Sequence, residues 1–113
     1  RPCDILVNNA GMNTPLPIAE MPTDAFDAML NLNVRSVYMT AQAAVRSMLS
    51  AGRGGVIVNM SSQMGHVGSP RRTAYCLTKH AVEGLTKAMA VELAPHGIRV
   101  NSVAPTFVDT DWT

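Results

Sequence analysis

A doubly wound α/β fold with a parallel sheet is predicted by three observations. Three short β-branched runs are apolar on both faces, a helix-period segment separates each successive pair, and glycine or proline marks the boundaries. The first run is Ile5-Leu6-Val7, ended by Asn8-Asn9-Ala10-Gly11. A loop with Pro15, Pro17 and Pro22 follows, and Thr23 is placed to cap a helix whose positive start suits Asp24 and Asp27. Phe26, Met29, Leu30, Val34, Val37, Tyr38, Ala41, Ala44, Val45 and Met48 keep a period near 3.6, and Gly52 supplies the stop. That run is long for one helix, and Asn31 and Asn33 are poor helix formers, so a kink is expected near them.

The second strand is Val56-Ile57-Val58-Asn59-Met60, with Gly54-Gly55 before it and Ser61-Ser62 after. Ser69-Pro70 then reads as the cap and first residue of another helix. Its core stripe is expected at Ala74, Leu77, Ala81, Leu85, Ala88 and Val91 or Glu92, and Pro95 with Gly97 ends it. The third strand, Ile98 to Val103, closes at Ala104-Pro105. Parallel strands joined by two crossover helices give β-α-β-α-β.

Composition narrows the function classes. The 113 residues are 47% hydrophobic and 15% charged, with a net charge of +1, which excludes a disordered chain and a basic nucleic-acid binder. Gly52-Arg53-Gly54-Gly55 is a turn before a strand rather than a nucleic-acid motif. Residues 1–113 amount to one domain at most, and so low a charge implies more covered surface than this length covers alone. Two cysteines make no disulfide framework, so a cytoplasmic setting is expected. No apolar run approaches the ~18 residues of a membrane span, so no membrane partner is expected. His66, His80 and His96 share no ligand spacing, and no metal site is expected. With no initiator Met and a strand-like segment at its start, the chain reads as a fragment.

In an open parallel sheet, ligands bind beyond the carboxyl ends of the strands. Here those ends are Asn8-Asn9-Ala10-Gly11, Ser61-Ser62 and Pro105-Thr106. Tyr75 and Lys79, four apart, share one face of the last helix. An ammonium ~5 Å from a phenol favours its ionised form by about 3 kcal/mol at an effective dielectric of ~20. A phenol so assisted can both give and take a proton near neutral pH.

Asn9-Ala10-Gly11, Asn33, Ser62, Tyr75 and Lys79, in this order, resemble the short-chain dehydrogenase/reductase family along essentially the whole chain. Its NNAG turn falls on Asn8-Asn9-Ala10-Gly11 and its Y-x-x-x-K pair on Tyr75 and Lys79. Its catalytic Ser, thirteen residues before the Tyr, falls on Ser62, and its catalytic Asn on Asn33. From the residues alone Ser61 and Ser62 are equivalent, and only the family spacing selects Ser62. The resemblance implies a Rossmann-like sheet of which this chain holds strands four to six, NAD or NADP as cofactor, and a small alcohol or ketone as substrate. Tyr75 would be the general acid/base and Lys79 would assist it and hold the nicotinamide ribose. Ser62 would bond the substrate oxygen, and Asn33 would hold a water that links Lys79 to solvent. Asn9, Ala10 and Gly11 would lie along the cofactor, with Val108 and Thr110 at its carboxamide and phosphate end. A homodimer or homotetramer is implied, through helices carrying Met39, Ala43, Leu85 and Met89.

Two departures stand out. Pro105-Thr106 replaces the family's Pro-Gly, and no glycine-rich G-x-x-x-G-x-G turn, the phosphate cradle, precedes Asn8. Three strand-helix units, about 90 residues, would lie upstream, so the isolated 113-residue chain is expected not to turn over substrate. The choice between NAD and NADP follows the second of the missing strands. Gln63 and His66, in the loop over 62–68, suit the hydroxyls of a sugar or polyol. A non-catalytic dinucleotide-sensing module is the competing reading, although a sensor needs none of Asn33, Ser62, Tyr75 and Lys79. A serine hydrolase is excluded because Met60-Ser61-Ser62-Gln63-Met64 is no G-x-S-x-G elbow.

Overall fold

The computed structural model describes residues 3–105. Strands β1 (Ile5–Asn8), β2 (Gly55–Met60) and β3 (Ile98–Val103) form one parallel sheet in the order β1-β2-β3. The register sets Leu6 beside Ile57 and Ile57 beside Val100, then Asn8 beside Asn59 and Asn59 beside Ser102. Helices α1 (Thr23–Leu30) and α2 (Ser36–Ala51) join the first pair of strands, and α3 (Thr73–Leu93) joins the second. The expected kink is a π-helical turn over Asn31–Arg35, in which the Ser36 N–H reaches back to the Asn31 carbonyl. Gly52 ends α2 at φ 68°, a left-handed conformation that its missing Cβ permits, and its N–H caps the Met48 carbonyl at 3.0 Å.

The core lies between the helices and one face of the sheet. Ala44 and Met48 of α2 and Leu93 of α3 pack on Ile57, Ile98 and Val100. The alternate strand residues face away, with Ile5 67% and Val7 58% exposed. The strands are therefore apolar on both faces, as their sequence requires, but the described residues cover only one.

A buried polar chain fastens the carboxyl ends of the strands. Asn8 Nδ2 donates to the Val37 carbonyl at 3.0 Å and to Asn59 Oδ1 at 3.3 Å. Asn59 Nδ2 donates to Thr86 Oγ1 at 3.0 Å, and Thr86 donates to the Val82 carbonyl at 2.8 Å. Each buried amide thus has partners, and β1 and β2 are held to α2 and α3 just below the site.

Two helix expectations are corrected. The helix α3 starts at Thr73 rather than at Ser69-Pro70, because Arg71 adopts φ 64° and breaks any helix begun earlier. Its inward face is Ala74, Thr78, Lys79, Val82, Glu83 and Thr86. Much of the expected core stripe points out, with Leu77 50% and Val91 80% exposed. Apolar spacing identifies the helix, but here a stripe that includes polar side chains bonded to the neighbouring elements packs on the body, and much of the apolar stripe faces outward.

Candidate active site

The site is assembled where β1 and β2 end. Lys79, on the inward face of α3, is 5% exposed and donates from Nζ to the carbonyl of Met60, the last residue of β2, at 3.2 Å. Its Nζ stands 5.6 Å from the centroid of the Tyr75 ring, one helical turn away. Burial pushes the Lys79 ammonium below its usual pKa. The Met60 carbonyl takes one of its three N–H donors and leaves two for a ligand. Tyr75 is half-buried.

Asn33 sits in the π turn and is fully buried. Its Oδ1 accepts the Met12 N–H and its Nδ2 donates to the Met12 carbonyl, both at 2.8 Å. The second Nδ2 hydrogen goes to Thr78 Oγ1 at 3.1 Å. Both amide hydrogens are therefore committed. The loop after β1 is drawn in with Met12, so a Cβ on Gly11 would stand 3.4 Å from Lys79 Nζ and 3.5 Å from Asn33 Oδ1.

The two serines after β2 differ sharply. Ser61 is buried, its hydroxyl has no partner among the described residues, and it lies 2.6 Å from where a Gly65 Cβ would be. Ser62 is half-buried and caps the short 3₁₀ turn Gln63–Gly65, its Oγ accepting the Met64 N–H at 3.1 Å. An oxygen held as an acceptor keeps its own proton available. The same turn is pinned to α3 by a contact between Nε2 of the exposed His66 and Oε2 of the buried Glu83. His66 Nε2 thus has a partner within the chain.

Gly11, Asn33, Tyr75 and Lys79 therefore meet around one ammonium group, with Ser62 two residues past the carbonyl that holds it. Asn9 and Ala10 are exposed at the end of β1. Val108 and Thr110, like Thr106, lie outside the described residues. Thr78, which ties Asn33 to the Tyr75 carbonyl, went unnoticed in the sequence. Its one signal there is a polar residue between Tyr75 and Lys79 on a helix face otherwise read as apolar. Among the described residues no group of three metal-ligating side chains occurs and no helix is long and apolar enough to cross a membrane.

This sheet, with a tyrosine and a lysine one turn apart at its carboxyl edge, is of the kind that binds nucleotides at strand ends. Residues 1–113 match the short-chain dehydrogenase family, and the chain belongs to it. It is 49% identical over 109 residues to carbonyl reductase (NADPH) 2 of Sus scrofa, covering 96% of this chain and 45% of that protein. It is 46% identical over 109 residues to L-xylulose reductase of Bos taurus, with the same coverage. The acetoin dehydrogenase structure from Enterobacter cloacae superposes with a TM-score of 0.91 at 43% identity, over 96% of this chain and 43% of that one. The chain thus spans under half the length of these relatives.

Proposed function

We propose that this chain forms the proton-handling part of an NAD(P)-dependent oxidoreductase that interconverts a secondary alcohol and a ketone. The observation that carries the reading is Lys79, a buried ammonium tied to the end of β2 and set 5.6 Å from the Tyr75 ring. Burying a charge costs free energy and needs compensation. A lysine whose one hydrogen bond among the described residues goes to a carbonyl, with two donors left, suits a ligand better than it suits packing. Tyr75 acts as general acid/base at the substrate oxygen, and Lys79 favours its ionised form by charge. Ser62 donates its free proton to that oxygen. Asn33 acts by holding the Gly11–Met12 loop against Lys79.

Exposed Asn9 and Ala10, with Gly11 against the ammonium, leave a small-residue border that fits an NAD or NADP ribose whose hydroxyls meet Lys79. When bound, the nicotinamide supplies the hydride exchanged at the carbonyl carbon. Val108 and Thr110 complete this border in the proposal. A sugar or polyol is the proposed substrate class, supported by Gln63 beside Ser62 and by the similarity to L-xylulose reductase. A homodimer or homotetramer in the cytoplasm completes the reading. Supporting it, α2 and α3 present exposed Met39 and Leu77 and flank a groove of about 300 Å³ lined by Tyr38, Val45, Leu85 and Met89.

The test is oxidation of NADPH or NADH by the whole protein with a panel of small ketoses and hydroxyketones. Turnover on at least one is expected. Tight cofactor binding with no turnover on any would support the dinucleotide-sensing reading instead.

A further inference from the structure

Thr78 is fully buried, and its hydroxyl is used twice. It donates to the Tyr75 carbonyl at 2.8 Å and accepts from Asn33 Nδ2 at 3.1 Å. A hydroxyl has one proton, and a carbonyl only accepts, so towards Asn33 this oxygen is an acceptor. Asn33 must then turn its NH₂ to Thr78, which fixes the sense of the whole amide. Only in that sense does Oδ1 face the Met12 N–H while Nδ2 faces the Met12 carbonyl. The flipped amide would set donor against donor and oxygen against oxygen.

We propose that Thr78 is a positioning residue: its hydroxyl sets the orientation of the Asn33 amide and thereby locks the Gly11–Met12 backbone beside the Lys79 ammonium. The claim rests on the oxidoreductase reading for its effect on rate, but the lock itself is a matter of hydrogen bonding. A valine here keeps the shape and removes the hydroxyl, leaving an Asn33 hydrogen buried without an acceptor. A serine keeps the hydroxyl and removes only a methyl group.

The experiment compares Thr78→Val, Thr78→Ala and Thr78→Ser in the whole protein, measuring kcat, KM and amide hydrogen exchange at Met12. Loss of one buried bond near the reacting groups predicts a fall in kcat of about tenfold for the Val variant, with KM little changed. The Ser variant is expected to keep the parent kcat, and Met12 exchange to quicken in the Val variant alone of these two. A Val variant with parent kcat and parent exchange overturns the proposal, as does a Ser variant as impaired as Val. If Val does not fold, Ala and Ser take over the comparison: Ala is expected to lose rate and Ser to keep it, and equality overturns the claim. Should the whole protein turn over none of the ketones, the oxidoreductase reading fails, and Met12 exchange still decides whether Thr78 is the lock.

Discussion

Replacing Gly65 by alanine probes how tightly the Ser62 turn is seated on α3. A Cβ there would stand 2.6 Å from Ser61 Oγ, 3.0 Å from Glu83 Cγ and 3.0 Å from the Lys79 carbonyl oxygen, where ordinary contact begins at 3.4 Å. The Ser61 hydroxyl, without a partner among the described residues, can rotate away, but the Lys79 carbonyl belongs to a helix and cannot. The turn must therefore lift by about 0.4 Å, the difference between 3.4 and 3.0 Å. Overpacking of this degree costs about 1–3 kcal/mol. Ser62 lifts with it, because the Gly65 N–H donates to the Ser62 carbonyl at 2.8 Å. If a displacement of 1 Å costs ~100-fold in rate, 0.4 Å predicts a fall in kcat of roughly sixfold. The assay is urea denaturation and steady-state kinetics of Gly65→Ala in the whole protein, beside Gly68→Ala, where a Cβ meets nothing within 4 Å. A Gly65→Ala protein that matches the Gly68→Ala control in both would refute the reasoning.

Two further substitutions test the buried polar groups. Lys79→Met is expected to abolish turnover without lowering stability at neutral pH. Desolvation depresses the folded-state pKa of Lys79, so the native state binds fewer protons than the unfolded chain between that value and the ordinary ~10.4. Wild-type stability should therefore gain on the Met variant as pH rises through this window, which denaturation at neutral and alkaline pH would reveal. Asn59→Ala removes a fully buried amide that links Asn8 to Thr86. It should lower stability by about 2–4 kcal/mol, read from the urea midpoint at constant m-value.

The strands were legible because Ile, Val and Leu runs bounded by Gly, Asn and Pro leave little choice. Ile98–Val103 agrees with the expectation residue for residue, and β1 and β2 each gain one residue at an end. The break near Asn31 and Asn33 was legible from helix propensity, although not its π geometry. The packing side of α3 was not legible. Leu77 and Val91 look like core by hydrophobicity, but Thr78, Glu83 and Thr86 are buried against Asn33, His66 and Asn59 of other elements, which spacing does not report. The start of α3 was missed for a local reason, the left-handed Arg71. At the site, Tyr75 and Lys79 stood out by spacing. By residue type Ser61 and Ser62 are equivalent and only the family spacing separates them, whereas in the fold Gly65 lies against the first of them. Thr78 and the His66–Glu83 pair depend on contacts between elements far apart in sequence.

The account turns on whether the Tyr75 hydroxyl is the group that moves the proton. Tyr75→Phe removes one oxygen and leaves the ring beside Lys79. Measured in the whole protein, kcat for ketone reduction should collapse by ~100-fold or more, as loss of a general acid predicts, while affinity for NADPH or NADH stays near that of the parent. A Phe variant that turns over at the parent rate would contradict the account.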